Sequence, residues 1–363
     1  MSNFSQQDIF YMQKAIELAE KGRGFVSPNP LVGAVIVKNN KIIGQGYHKK
    51  FGDAHAEINA IKNAQESVRG ATLYVTLEPC NYWEKKTPPC VPAIIKSGIK
   101  KVIIGTYDCN PKVCKKGVLE LQNAGIKTKV GILKDVIEKQ NESYFKFTKT
   151  GLPFIVLKLG LTLDGRIATG NGESKWITSA LSRRFDQELR KDADAILVGI
   201  NTILKDNPRL TCRIEPKKRL TKIILDSELK TPAKAKVLKG PSPTIIFTGD
   251  EQKIKDVSLA RKNLEIINIK RDKKGLLLWT EILQELAKRN IASILIEGGA
   301  KVASSALQAQ IVDKIYLIFA PKILGRGITF SDYLNINSLK SAIQLKKYQI
   351  IQIDKDFIVE GYL

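Results

Sequence analysis

The sequence predicts an α/β protein made of two domains. At 363 residues, the chain is too long for one ordinary hydrophobic core. Short β-branched runs alternate with helical patterns along the whole length, which is typical of α/β folds. Gly151 and Pro153 interrupt this alternation. We therefore expect one domain over residues 1–147 and a second over residues 148–363.

The composition is that of a folded protein without membrane segments. Hydrophobic residues make up 43% of the chain and charged residues 26%. The longest apolar runs are much shorter than a bilayer span requires. The N-terminal segment "MSNFSQQDIF" has no basic stretch leading into an apolar one, so we expect no signal peptide and a cytoplasmic location.

The first half of the chain alternates helices and strands. Ser5 and Asp8 form a capping pair that predicts the start of a helix over 5–21. The segment "GAVIVKNNKIIGQGY" (33–47) predicts a β-hairpin with an Asn-containing turn. The remaining predicted elements are a helix over 54–66, a strand over 71–77, a helix over 91–97, a strand over 100–106, a helix–strand pair over about 115–132, and a helical stretch over 133–150.

The second half starts afresh with the strand "FIVLKLGLTLDG" (154–165). Further short β-branched runs follow, separated by helical patterns, and they predict a mostly parallel sheet. These runs cover 194–200, 221–226, 243–249, 292–299 and 314–321.

The formal net charge is +23. A positive potential of this size attracts either nucleic acid or phosphorylated small molecules. The lysines are spread along the chain without a block of five or six, and the abundance of Ile, Lys and Asn also fits a compositional bias. We therefore expect phosphorylated small-molecule substrates and no nucleic-acid partner.

A cluster of metal-binding residue types lies in the first half. Five cysteines in so long a chain do not indicate a disulfide framework. His55, Cys80 and Cys90 offer one imidazole and two thiolates, and three protein ligands leave the fourth position of a catalytic zinc open. Zinc lowers the pKa of bound water to about 7. Glu57, near the metal but not on it, can accept the proton of that water and return it to a leaving amine.

Two alternatives stand beside this interpretation. The residues could hold a structural zinc, or the cysteines could pack as small apolar side chains. The second alternative is the one we favour for Cys109, Cys114 and Cys212. The signature of zinc nucleobase deaminases is His-x-Glu followed by Pro-Cys-x-x-Cys. The chain has both parts, but nine residues separate its two cysteines.

Four segments together resemble the deaminase domain of the bifunctional riboflavin-biosynthesis deaminase/reductases: "SPNPLVGAVIV", "GYHKKFGDAHAE", "LEPC" and "KTPPC". The resemblance covers residues 6–132 and implies a cytidine-deaminase-like three-layer domain. It implies hydrolytic deamination of 2,5-diamino-6-ribosylamino-4(3H)-pyrimidinone 5′-phosphate, with Glu57 as the proton shuttle and one Zn²⁺ on His55, Cys80 and Cys90. The implied substrate-binding residues are Asn29, His48, Lys86, Thr87 and Asn110. For His48 and Lys86, an ordinary surface role is the alternative.

The chain departs from this family between the two cysteines. The segment "NYWEKK" (81–86) makes the loop one residue longer than the family pattern and lacks its His and Gly. Both ends of the loop are intact, so we expect the metal site to be retained. We expect Tyr82 or Trp83 to stack on or cover the pyrimidine instead.

The second half has no Gly-x-Gly-x-x-Gly after its first strand. In "ILIEGGAKVASSAL" (294–307), a strand ends in Glu297 and Gly298-Gly299-Ala300 opens a helix. Small residues let a backbone approach a phosphate, and a helix N-terminus offers N–H donors. On its own, the segment favours a plain strand–helix turn over a phosphate-binding site.

This segment, with "KLGLTLDGRIA", "GESKWIT", "LVGINTILKDNPRLTCR" and "ILDS", resembles the reductase domain of the same family over about 152–330. The resemblance implies a dihydrofolate-reductase-like fold and NADPH-dependent reduction of the ribosyl side chain, giving 5-amino-6-(5-phosphoribitylamino)uracil. The implied cofactor-binding residues are Gly160, Trp176, Thr202, Asp206, Ser227, Gly299, Ala300, Lys301, Val302, Ala303, Ser304 and Ser305. The implied substrate-binding residues are Lys158, Ser174, Arg190, Asp206, Leu210, Arg213 and Glu297.

The residue types suit these roles. Arg190 and Arg213 can bind a phosphate in bidentate fashion, and Asp206 and Glu297 can bond sugar hydroxyls. The structural alternatives are Trp176 as a core residue and Asp206 as a turn cap.

The sequence therefore predicts a two-step enzyme that uses one Zn²⁺ and NADPH. We expect a homo-oligomer, a dimer or tetramer, without membrane association. One alternative is a tRNA or nucleic-acid base deaminase with an accessory nucleotide-binding domain. Another is a structural zinc module, which would need a fourth ligand from Cys109 or Cys114.

Overall fold

The computed structural model describes residues 4–84, 87–256 and 262–363. The chain divides into two units, Met1–Gly151 and Leu152–Leu363. The division follows the helix Glu142–Thr150, within which the boundary expected from the sequence lies. Within the described residues, no helix has the length and apolar character needed to cross a membrane.

The first unit contains six helices and five strands among its described residues. They are α1 (Gln6–Glu20), β1 (Gly33–Lys38), β2 (Lys41–Tyr47), α2 (Ala56–Lys62), β3 (Thr72–Leu77), α3 (Cys90–Ser97), β4 (Lys101–Thr106), α4 (Lys116–Asn123), β5 (Lys127–Val130), α5 (Lys134–Gln140) and α6 (Glu142–Thr150). The capping box predicted at α1 is confirmed, because the Asp8 amide donates to Ser5 Oγ and the Ser5 amide donates to the Asp8 carboxylate.

The strands of this unit form one sheet in the order β2-β1-β3-β4-β5. Strand β1 is antiparallel to β2 and β3, whereas β3, β4 and β5 are parallel. Successive side chains of a strand point to opposite faces. Val35 and Val37 accordingly pack with Met12 of α1, and Ala34 and Ile36 pack on the other face with α2, α3 and α4. Both faces are covered by helices, as expected for a three-layer domain.

The second unit contains eleven strands and five α-helices among its described residues. They are β6 (Phe154–Thr162), β7 (Arg166–Thr169), α7 (Ala180–Asp192), β8 (Ala195–Gly199), α8 (Ile200–Asp206), β9 (Thr221–Leu225), β10 (Thr244–Thr248), α9 (Glu251–Asp256), β11 (Leu264–Asn268), α10 (Trp279–Lys288), β12 (Ser293–Ile296), α11 (Ala300–Gln308), β13 (Lys314–Ala320), β14 (Gly327–Thr329), β15 (Lys347–Ile353) and β16 (Asp356–Tyr362). Two short 3₁₀ turns lie at Lys236–Leu238 and Leu339–Ser341.

Nine of these strands form one sheet in the order β11-β10-β9-β8-β12-β6-β13-β16-β15. The run from β11 to β13 is parallel, which confirms the expectation of a mostly parallel sheet. The last two strands form an antiparallel hairpin that the sequence reading did not identify. One face is covered by α10 and α11, and Leu189 of α7 and Ile203 of α8 pack on the other face.

Candidate active sites

Three residues of the first unit come together as a metal-binding group. His55 is the N-cap of α2, Cys80 follows β3, and Cys90 is the first residue of α3. Their ligand atoms all lie within 4.8 Å of one another. The Nδ1 atom of His55 is 3.4 Å from the Cys80 sulfur and 3.3 Å from the Cys90 sulfur. One nitrogen and two sulfur donors match the ligand preference of zinc.

The two thiols are held together by the backbone as well. The amide of Cys90 donates to the carbonyl of Cys80 at 2.9 Å, and the amide of Val91 donates to the same carbonyl at 3.2 Å. These two bonds close the loop between the cysteines at its base. The separation of the two ligands is therefore fixed independently of the residues in the middle of the loop.

The three-residue group is the one set of three or more His, Cys, Asp and Glu residues able to hold an ion in the part of the chain that the structure describes. Cys109 and Cys114 are not in it, so neither completes a closed structural zinc site. The cysteines all carry free thiols, as expected.

Glu57 lies in the first turn of α2, only 3% exposed, and it lines the cavity beside the metal-binding group. Burial raises the pKa of its carboxyl group, and the nearby Cys80 thiolate raises that pKa further. A carboxyl group in this position is suited to hold a proton for part of a reaction cycle.

The cavity of the first unit has a volume of about 320 Å³ and is lined by several of the predicted residues. Asn29, His48, Thr87 and Asn110 all line it. Lys86, predicted with them, lies outside the described residues.

His48 is buried, with 3% exposure, rather than a surface histidine. Its Nδ1 lies 3.3 Å from the carbonyl of Ala54, an acceptor, so we assign the ring proton to Nδ1. The ring's Nε2 then accepts from the Asn29 side-chain amide at 3.1 Å. The two predicted residues therefore fix each other's orientation at the cavity wall.

Thr87 contacts the metal-binding group directly. Its Oγ1 lies 3.1 Å from Nε2 of His55, the ring nitrogen opposite the two sulfurs. A ligating histidine usually donates its second ring N–H to a neighbouring acceptor. Thr87 fits that position, in addition to lining the cavity.

Among the cavity residues to which the sequence analysis assigned no role, four polar ones lie on or after elements that face the metal-binding group. Tyr144 and Thr148 come from α6, and Glu78 and Asp108 follow β3 and β4. The Tyr144 hydroxyl donates to Asp108 Oδ1 at 2.7 Å. Burial and the adjacent Asp108 carboxylate raise the pKa of Tyr144, so it remains a donor. The spacing of Tyr144 and Thr148, one helical turn apart, was the available sequence signal.

Glu78 organises the loop that carries Asn110. Its carboxylate accepts the backbone N–H groups of Asp108, Lys115 and Val118 at 3.0 to 3.3 Å. The Asn110 amide in turn donates to Asp108 Oδ1 at 2.9 Å. These bonds hold the loop against the cavity.

The atypical loop contributes one aromatic ring to the cavity. Tyr82 lines it, whereas Trp83 is 70% exposed. Of the two residues expected to cover a pyrimidine, Tyr82 is therefore the one in position.

The second unit has a larger cavity, of about 740 Å³. It lies at the carboxyl ends of the adjacent strands β8 and β12 and beside β6, where parallel sheets usually bind ligands. Eight predicted residues line it: Lys158, Gly160, Ser174, Trp176, Thr202, Asp206, Glu297 and Gly299.

Trp176 is not a core residue, because it is 63% exposed at the cavity rim. The guanidinium group of Arg183 lies 4.5 Å from the centre of its ring, within cation–π range. Asp206 ends α8 and pairs with Lys175, 3.4 Å between Oδ1 and Nζ.

The other predicted residues of this unit have different surroundings. Arg213 is exposed, and Leu210 is buried at 4% exposure. The carbonyl of Ser227 accepts from the amide of Gly249. Gly299 caps α11, which contains the predicted residues Ala300, Lys301, Val302, Ala303, Ser304 and Ser305. The Ser304 and Ser305 hydroxyls bond the Phe330 carbonyl and the Trp279 indole N–H.

Four charged side chains, each 12–16% exposed, form a largely enclosed cluster at this cavity. Arg190 binds Glu297 through two bonds of 2.7 and 2.8 Å and also donates to the Thr211 carbonyl. The Lys158 ammonium lies 3.1 Å from Asp186 Oδ2 and 3.7 Å from Glu297 Oε2. Arg190 is therefore engaged with another predicted residue rather than turned to a phosphate.

The charges of this cluster set each other's ionisation. Burial favours the protonated form of Glu297, but Lys158 and Arg190 outweigh it and hold the pKa at about 2. Burial opposes charge on Lys158, yet Glu297 and Asp186 raise the pKa of its ammonium. Burial raises the pKa of Asp186. Asp186 was not identified from the sequence, where it is one of several charged residues on an amphipathic helix.

Models of known protein families match both halves of the chain. Residues 5–106 match the model of the cytidine and deoxycytidylate deaminase zinc-binding region, and residues 153–359 match that of the RibD C-terminal domain. These matches and the folds of both units confirm the expected cytidine-deaminase-like and reductase-like architecture.

Full-length relatives agree. The chain is 43% identical to the riboflavin biosynthesis protein RibD of Aquifex aeolicus, with 96% of each covered. It is 37% identical to that of Escherichia coli, with 96% of this chain and 98% of that protein covered.

Two solved structures are similar over the same length. One is a Thermotoga maritima diaminohydroxyphosphoribosylaminopyrimidine deaminase/5-amino-6-(5-phosphoribosylamino)uracil reductase, with 39% identity, a TM-score of 0.87 and 98% of each chain covered. The other is Acinetobacter baumannii RibD, with 36% identity, a TM-score of 0.88, and 98% of this chain and 99% of that chain covered. Since these likenesses extend over nearly its whole length, the chain belongs to the RibD family of bifunctional riboflavin-biosynthesis deaminase/reductases.

Proposed function

We propose that residues 1–147 deaminate 2,5-diamino-6-ribosylamino-4(3H)-pyrimidinone 5′-phosphate and that residues 148–363 reduce the ribosyl group of the product with NADPH. The observation that carries this proposal is the convergence of His55, Cys80 and Cys90 beside Glu57 in one cavity. The cavity at β8 and β12, with its buried charges, is the second support.

In the deaminase site, His55, Cys80 and Cys90 would hold one Zn²⁺. When bound, zinc supplies a water of lowered pKa. Glu57 would take a proton from this water and pass it to the amino group, which would leave as ammonia while the ring carbon gains the oxygen. Its buried setting favours the protonated stage of this cycle.

The remaining cavity residues bind and orient the substrate. Asn29, Asn110 and His48 offer hydrogen bonds to the base or ribose, and Tyr82 offers a ring to stack on the pyrimidine. Lys86 and Thr87 are the candidates for the phosphate.

In the reductase site, NADPH supplies the hydride, and the protein supplies position and charge. We assign the cofactor to Gly160, Trp176, Thr202, Asp206, Ser227, Gly299 and residues 300–305 of α11. Bound NADPH would supply its hydride to C1′, where the bond to the ribose ring oxygen would break, and that oxygen would then need a proton. The protonated Lys158 ammonium is the donor that we assign to this step.

The substrate phosphate of this second step needs a cation outside the buried cluster. Arg213 is exposed, and its guanidinium group forms no ion pair with a carboxylate within the part of the chain that the structure describes. It is therefore a better candidate than Arg190, whose guanidinium group binds Glu297. Ser174 and Leu210 complete the proposed substrate site.

Cytoplasmic location, a dimeric or tetrameric state and phosphorylated pyrimidine substrates are parts of this proposal. Nucleic-acid base deamination is not favoured, because it leaves the second cavity and its charged cluster without a role.

A coupled assay tests the proposal. Ammonia release and NADPH oxidation are followed separately in the parent, in Glu57→Gln and in a matched control, Glu66→Gln, whose side chain is exposed. Glu57→Gln should release ammonia at least about 100-fold more slowly. It should retain zinc and should still oxidise NADPH when supplied with 5-amino-6-(5-phosphoribosylamino)uracil. Parent-like ammonia release by Glu57→Gln would contradict the deaminase mechanism.

A further inference from the structure

Asp186 is the buried group of the reductase cavity that the proposed function does not yet use. It lies on α7, one turn before Arg190, and it lines the cavity with Lys158 and Glu297. Its side chain is 16% exposed. A carboxylate in so enclosed a place is costly unless it is paired.

Each of the two cations in the cluster has a different nearest carboxylate. Both carboxylate oxygens of Glu297 accept from Arg190, at 2.7 and 2.8 Å. The Lys158 ammonium is closer to Asp186, at 3.1 Å, than to Glu297, at 3.7 Å. The cluster therefore contains two short ion pairs, Arg190 with Glu297 and Lys158 with Asp186, which the longer Lys158–Glu297 contact links.

Asp186 is retained at a cost. Its Oδ1 atom is buried without a hydrogen-bond partner among the described residues. An unsatisfied buried acceptor is rare and calls for an explanation, and such groups concentrate at functional sites. Packing alone would be served better by an apolar side chain of similar size.

We propose that Asp186 is a positioning residue of the reductase site, which holds the Lys158 ammonium at the cavity wall as the cation that faces the substrate. This inference rests on the proposed reductase function and names the residue that prepares its proton donor.

The effect of Asp186 on the Lys158 ammonium follows from the positions of the neighbouring charged groups. Without Asp186, the nearest carboxylate to Lys158 is Glu297, whose two oxygens are already bonded to Arg190. The groups that act on the Lys158 ammonium are then Glu297, which favours its charge, and Arg190, which opposes it. The ammonium would lose its proton more readily and turn away from its present position. Asp186 thus acts through Lys158 and need not touch the substrate.

The test compares the parent, Asp186→Asn and the matched control Glu188→Gln, which removes one charge from an exposed position of the same helix. The first measurement titrates Lys158 directly, by NMR of ¹³Cε-labelled lysine, with Lys158→Arg to identify its resonance. We expect Asp186→Asn to lower the Lys158 pKa and Glu188→Gln to leave it unchanged.

The second measurement is the rate of NADPH oxidation with 5-amino-6-(5-phosphoribosylamino)uracil against pH. In Asp186→Asn, kcat should fall about tenfold, and its alkaline limb should move to lower pH. The KM for NADPH and the rate of ammonia release from the deaminase substrate should match the parent. A merely structural role of Asp186 would not move the alkaline limb.

The outcomes distinguish a failure of the inference about Asp186 from a failure of the proposed reductase function. A Lys158 pKa that is the same in Asp186→Asn and the parent would overturn this inference, whatever the activities. So would an unmoved alkaline limb of kcat. If the parent itself does not oxidise NADPH with this substrate, the proposed function fails, and the lysine titration alone decides the pairing of Asp186 with Lys158.

Discussion

The Oγ1 atom of Thr87 lies 3.1 Å from His55 Nε2, on the side of the imidazole ring opposite the two cysteine sulfurs. With Nδ1 facing the sulfurs, this contact holds the orientation of the imidazole ring. The hydroxyl thus supports the metal-binding group from the loop that differs from the family pattern.

Replacing Thr87 by Val should therefore weaken zinc binding by about 10- to 100-fold, because the ring loses the partner of its second nitrogen. Thr87→Ser, which keeps the hydroxyl, should bind zinc like the parent. Competition with a chromophoric chelator measures the affinity. Equal affinity in Thr87→Val and Thr87→Ser would show that the contact does not support the metal.

Gly33→Ala should destabilise the first unit by about 3 kcal/mol, because a methyl group at this position overpacks the contact between β1 and α1. A Cβ atom at Gly33 would lie 1.9 Å from the carbonyl oxygen of Ala15. Gly170→Ala, where a Cβ meets nothing within 4 Å, is the matched control. Urea unfolding measures the loss of stability. Loss of ammonia release with retained NADPH oxidation would show that the damage is confined to the first unit.

Gly299→Ala should impair cofactor binding without affecting folding. The residue has φ −74° and ψ 176°, which any residue adopts, and a Cβ there meets nothing within 4 Å. If the cofactor approaches this backbone closely, the added methyl group should raise the KM for NADPH about tenfold, an order of magnitude expected for one lost close contact. An unchanged KM would mean that the cofactor does not approach Gly299.

The stability of the protein in acid should depend on Glu297. Its pKa in the folded protein is about 2, below the ordinary value of 4.5. The carboxylate therefore stabilises the fold above pH 4.5, and this contribution is lost as the pH falls towards 2. The ionised carboxylate thus contributes about 3 kcal/mol to the free energy of unfolding, and this contribution is absent in strong acid.

The pH dependence of urea unfolding for the parent and Glu297→Gln checks this prediction. The parent should lose more stability than the variant between pH 4.5 and 2. Glu188→Gln, altered at an exposed position, should follow the parent. Parallel curves for the parent and Glu297→Gln would mean that the ion pairs of Glu297 contribute nothing to folding.

The site residues that could be predicted from the sequence are those that neighbouring secondary-structure elements bring together. His55 and Glu57 begin one helix, and Cys80 and Cys90 bracket a loop, so a strand–loop–helix pattern suffices to bring them near each other. The family motifs then supplied a substrate and a cofactor for the two halves.

The groups that were missed depend on contacts between distant elements. Tyr144 reaches Asp108 from a helix that carries no motif, and Asp186 meets Lys158 only because α7 packs against the sheet near β6. The hairpin of β15 and β16 was missed for a different reason. Strand β15 lies at the edge of the sheet, where its side chains are mostly exposed and burial imposes no hydrophobic pattern.

The two hydrogen bonds from Cys90 and Val91 to the Cys80 carbonyl have an evolutionary consequence. They separate two properties that would otherwise change together, the capacity to hold a metal and the shape of the pocket above it. Mutations and single-residue insertions in the segment 81–86 can then accumulate without loss of the ion. The way in which the cavity binds its substrate can then change in that segment while the pair of cysteine ligands is kept.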